Sequence, residues 1–137
     1  MNSKNVTFSF LSDHFNKSES KEYFINSNCF GDDLIAWFMN QLRKNGFKVE
    51  GSCPDQEDFG WYFNFEFSDI SYTCLALLNE SEERWICVLE FNAGILGSLF
   101  GKRKKPVPES VAQLFDEILR SEPLIFQEVE WKNRLKK

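Results

Sequence analysis

The residues best placed to do chemistry are three carboxylates crowded into one turn, Asp55, Glu57 and Asp58, followed at once by Phe59-Gly60-Trp61. Neighbouring carboxylates can act as acid and base or bind a cation, and the face of a Trp ring attracts positive charge. The same residues have a structural use. Asp58 can accept from backbone amides in the turn, Gly60 permits a bend or bulge, and Trp61 can anchor a strand in the core. A hard-cation loop carries ligands at alternate positions about a central glycine. This turn lacks that pattern, so no metal is expected there. A second group lies in the connector 92–106, where Ile95, Leu96, Leu99 and Phe100 are interspersed with glycines and Lys102, Arg103, Lys104 and Lys105 follow. Such a segment can dock on a partner protein or lie on an anionic membrane surface. As a plain connector it would cap one edge of the core and leave its cations solvated.

Other chemistry is scarce. The one histidine, His14, lies in a polar stretch without a marked partner, so a Ser or Cys nucleophile has no evident base. Cys29, Cys53, Cys74 and Cys87 lie 24, 21 and 13 residues apart. Without a Cys-x-x-Cys pair they do not read as a zinc site. Cys74 and Cys87 fall in apolar strand patterns, where a free thiol behaves as a small hydrophobe. Reduced, buried cysteines are the expectation, although an even number leaves disulfides open. Gly97 to Gly101 with Lys102 resembles a phosphate loop, but three residues separate the glycines instead of four, and Arg103 follows the lysine. No cofactor is expected.

These groups sit on a chain of 137 residues, one domain's worth. It has 42 % apolar content and 16 % aromatic content, including 15 Phe, enough for a real core. No apolar run reaches the length of a membrane span. The first residues lack the apolar core of a signal peptide, so a cytoplasmic protein is expected. The net charge of −5 is uneven: residues 1–101 carry −8 and residues 102–137 carry +3. An acidic body argues against nucleic-acid binding and leaves room for a local anionic contact.

Residues 5–11 alternate and predict a strand, and 12–30 read as a polar loop with a short extended piece at 23–25. Asp32 is a good N-cap for a helix that buries Leu34, Ile35, Phe38 and Leu42 and stops at Gly46. Residues 47–50 predict a short strand, and 51–58 an acidic turn region. Period-two patterns at 61–67, 71–78 and 84–91 predict three strands joined by short loops, hence antiparallel. Pro108 opens a second helix with Val111, Leu114, Phe115, Ile118 and Leu119 on one stripe. Residues 124–131 predict a last strand, and 132–137 a frayed basic tail. The order β-α-β-β-β-β-α-β indicates a single α+β domain over 1–137, a mostly antiparallel sheet with two helices on one face.

Four segments resemble a family of small bacterial proteins that carries no established activity. They are Gly31-Asp32-Asp33-Leu34 with Trp37, Glu57-Asp58 with Gly60-Trp61, Gly94-Ile-Leu-Gly-Ser-Leu-Phe-Gly101 with its basic run, and Trp131. The likeness spans roughly residues 30–131, and Phe59 stands where the family usually has Trp. The resemblance implies a single domain and transfers no activity.

Two function classes compete. One is a non-catalytic protein-binding or regulatory module of the immunity or adaptor kind. Leu75, Leu77, Ile86 and Val88 give the sheet a second apolar face, which a protein partner or a second copy would cover. The other is a small-ligand binder or enzyme using Asp55, Glu57, Asp58 and Trp61, which requires a concave pocket and a carboxylate of raised pKa. Binding to an anionic surface through 95–105 is a further alternative. The missing nucleophile–base pair leans against catalysis.

Overall fold

A computed structural model describes residues 4–19, 21–24, 29–57, 60–92 and 105–134. The elements run β1 (Val6–Leu11), α1 (Asp32–Lys44), β2 (Asp55–Gln56), β3 (Trp61–Phe67), β4 (Ile70–Asn79), β5 (Arg84–Phe91), α2 (Glu109–Arg120) and β6 (Gln127–Lys132). The six strands form one sheet in the order β2-β3-β4-β5-β1-β6, antiparallel at each pairing. The α+β architecture and its element order are those the sequence predicts.

Alternation does the sorting. One row across the sheet joins Trp61, Ala76, Cys87, Phe8 and Trp131, and the next joins Phe63, Cys74, Leu89 and Val6. These residues are buried, apart from a half-buried Trp131, and their chain neighbours face the other way. The β3–β4 turn fits the same twist. Ser68 and Asp69 both take positive φ, 51° and 65°, which suits a two-residue hairpin.

Both helices cover the same face, and Phe8 is where they meet. Its ring centroid lies 6.0 Å from Phe38 of α1 and 5.7 Å from Phe115 of α2, which are 5.4 Å from each other. Helix α1 buries Leu34, Ile35, Phe38, Met39 and Leu42, and α2 buries Val111, Ala112, Phe115, Ile118 and Leu119. Helix α1 stops as predicted. Gly46, at φ 85°, donates to the Arg43 carbonyl while Phe47 donates to that of Leu42, the paired bonds of a glycine C-terminus.

Several local expectations are corrected. The N-cap of α1 is Gly31, at φ 136°, and Asp32 is the first helical residue. A Cβ on Gly31 would only touch Trp61 and Trp85, at 3.4 and 3.6 Å, so it is the φ of 136° that calls for glycine. The strand predicted at 47–50 reduces to a single bridge, Val49 to Phe65. Gly51, at φ 77°, turns the chain out there. Pro54 precedes its return as β2, inside the predicted turn region. The 12–30 segment is less polar in effect than in composition, because Phe15, Phe24, Cys29 and Phe30 are buried. Its described residues form no strand. The last strand starts later than predicted, and Leu124 is 92 % exposed.

The expected frayed tail is tied down as far as Arg134. The Arg134 guanidinium pairs with Glu109 at 2.6 Å and lies 4.8 Å from the Trp131 ring. Asp116, only 5 % exposed, accepts from the Trp131 indole at 3.0 Å and from Arg120 at 2.8 Å. This charged fastening holds β6 to α2.

Because Phe8 bridges both helices and the sheet, Phe8→Ala should cost about 3–5 kcal/mol of unfolding free energy. Urea denaturation of the two proteins measures this difference. A loss under about 1 kcal/mol would mean that the helices do not depend on this ring.

Candidate functional site

The acidic turn is divided by the fold. Trp61 is buried, and its indole N–H donates to the Cys29 carbonyl at 2.8 Å. Asp55 and Glu57 are exposed. Asp58 lies outside the described residues. Gly60 accepts from the Glu57 amide at 2.7 Å. A Cβ there would meet the Ala76 carbonyl at 2.6 Å, so glycine permits β3 to lie this close to β4. Gly60 and Trp61 thus serve the structural use of the motif. The connector's Ile95, Leu96, Leu99, Phe100, Lys102, Arg103 and Lys104 also lie outside the described residues. Lys105 is exposed, with Nζ 5.6 Å from the Phe91 ring centroid. His14 is exposed and sets its ring against the edge of Phe15 at 4.9 Å.

Asp55 nevertheless borders a cleft. A cavity of about 600 Å³ opens where the head of α1 faces the segment leading into β2. Asp32, Asp33 and Ala36 form one wall, Cys53, Pro54, Asp55 and Gln56 the other, and Tyr23 stands beside them. The helix start fixes the first wall. Gly31 turns the chain into α1 between two Trp rings, and Asp32 and Asp33 follow on the first turn. The second wall exists because the chain leaves β3's edge at Gly51 and returns at Asp55.

The electrostatics of the cleft are uneven. Asp32 is 7 % exposed. Its Oδ2 accepts from the Tyr23 hydroxyl, and its Oδ1 is buried with no hydrogen-bond partner. Asp33 accepts from the Asn16 and Leu34 amides at 2.8 and 2.9 Å. Burial still holds its carboxyl above the usual carboxylate range. The hydrogen bond to Asp32, aided by burial and the charges of Asp32 and Asp33, pushes the Tyr23 phenol up to about 12. Burial also raises the Cys29 thiol against a contact with Gln56 that lowers it.

Among the described members of the predicted acidic group, only Asp55 lines this cleft. Asp32 and Tyr23 were missed as site residues. The available signal was an acidic pair at a helix start, which capping explains equally well. Among the described residues, no group of three or more His, Cys, Asp or Glu side chains is arranged to hold a metal ion. All four cysteines are free, with Cys29, Cys74 and Cys87 buried and Cys53 exposed.

A pH titration tests the Tyr23–Asp32 contact. A raised phenol pKa stabilises the fold below the ordinary tyrosine range, near 10, and that stabilisation is lost as pH rises through about 12. Following tyrosinate absorbance, Asp32→Ala should move one of the three tyrosines to lower pH. An unchanged curve would refute the contact. No protein-family model, curated protein or solved structure matches this chain.

Proposed function

We propose that this chain is a non-catalytic protein-binding module whose working surface is the uncovered face of its sheet, and that the surface it meets there is a second copy of itself. One cross-sheet row carries the reading: Asp55, Tyr62, Leu75, Val88, Thr7 and Lys132, one residue from each of the six strands. Its charged ends are exposed, and its middle is apolar and half-buried. Leu77 and Ile86 pair in the next row.

This row is complementary to itself. A two-fold axis parallel to the strands, between β4 and β5, would lay Leu75 over the copy's Val88 and Leu77 over its Ile86. It would also bring Asp55 over the copy's Lys132, ends that lie roughly 24 Å apart within one sheet at the usual strand spacing. Sheets packed in this aligned way bury their apolar rows and leave the charges at the rim. An axis across the strands would instead set Asp55 against Asp55. A catalytic reading has less support, because Glu57 faces solvent and Trp61 is committed to the core.

A cytoplasmic setting belongs to the same reading, with four cysteines that form no disulfide. Among the described residues, no helix is long and apolar enough to cross a membrane.

Sedimentation velocity across the micromolar range should give a concentration-dependent monomer–dimer equilibrium. Val88→Glu should abolish it with the circular dichroism spectrum unchanged. Asp55→Lys should weaken it, and adding Lys132→Asp should restore it. A wild-type protein that stays monomeric throughout would overturn the homodimer.

A further inference from the structure

The cleft at the head of α1 is lined by Asp32, whose carboxylate keeps one buried oxygen without a donor among the described residues. Asp32 is 7 % exposed, Tyr23 holds its Oδ2, and no described residue donates to its Oδ1. A buried carboxylate oxygen without a donor is costly, and folded proteins rarely keep one without a use. Asp33 and Asp55 line the same cavity, and no Lys or Arg is among its described lining residues. Its described lining thus carries carboxylates and no cationic side chain.

The arrangement selects the kind of cation. A metal ion requires several ligands to converge on one point at about 2.0–2.6 Å. Asp32, Asp33 and Asp55 share a cavity without forming such a group. An organic cation spreads its N–H donors and its carbon stem over several ångströms. The cleft provides for that stem as well. The Tyr23 residue is 60 % exposed beside the cavity, and Ala36 and Pro54 add apolar surface. An aromatic ring beside a carboxylate is a favourable setting for an ammonium group. A volume of about 600 Å³ falls in the range of small-molecule sites.

We propose that this cleft binds an alkylammonium ion, with its N–H groups donating to the Asp32 carboxylate and its stem lying against Tyr23. The shared chemistry has two sources, a free diamine or the lysine side chain of another protein, and the probes separate them. Isothermal titration in phosphate buffer at low salt would use 1,4-diaminobutane, a lysine capped at both backbone ends, and acetate as the anionic control. Saturable binding of either amine, weakening as KCl is added, is expected. The tighter probe identifies the source.

Asp32→Asn should weaken binding by about tenfold or more, the loss of a charge-assisted hydrogen bond. If that variant does not fold, Ala36→Leu reads the same site by filling the cleft and leaving its acids in place. It should weaken binding comparably. Neither amine binding saturably to the wild type would overturn the proposal. Wild-type affinity in the folded variants would also overturn it.

Discussion

The contact among Phe8, Phe38 and Phe115 holds the architecture in place. Each ring comes from a different element, and the three centroids lie within 6.0 Å of one another. Tilted and edge-on ring pairs of this kind add to area burial. They also fix orientation, since a ring has fewer ways to repack than an aliphatic side chain. The cluster extends outward through Phe65 to β3 and through Trp131 to β6. The aromatic surplus of the composition thus goes mainly into joining two helices to one face.

The strands were legible because one face is covered and the other is not. Trp61, Phe63 and Phe65, then Tyr72, Cys74 and Ala76, then Trp85, Cys87 and Leu89 alternate so regularly that only one register buries them. The end of α1 was legible because Gly46 supplies a backbone conformation that few other residues take. Its start was legible to within one residue, since Asp32 fits the preference for a cap while Gly31 takes that position. The described residues of 12–30 form the expected loop, but the burial of Phe15, Phe24 and Phe30 was not legible because they are scattered among polar residues with no period. Long-range contacts decide their burial. Phe15 lies 6.3 Å from Trp85, and Phe24 lies 5.1 Å from Trp61.

The cleft was illegible for the same reason. Tyr23 reaches it from the loop, Asp32 from the helix and Asp55 from the returning edge, and no local pattern joins them. Asp116 is a milder case. It sits beside Phe115 on an otherwise apolar stripe, and its burial makes sense only once Trp131, Arg120 and Arg134 converge on it. Such acids are recognisable in sequence as exceptions to a stripe, but their partners are not.

The broken border of the sheet has a consequence for how copies of this chain can meet. Along β3 the outer partner is interrupted, with a bridge at Val49, an excursion through Gly51 to Pro54, and two paired residues at Asp55–Gln56. At the far border, β6 carries Glu128, Glu130 and Lys132, and its register with β1 shifts between Ser9 and Leu11. Neither border offers a long, flat, apolar template of unpaired amides and carbonyls, the feature from which fibrils extend by adding strands. A sheet rich in Phe, Trp and Cys thus presents broken borders that disfavour open-ended addition of further strands.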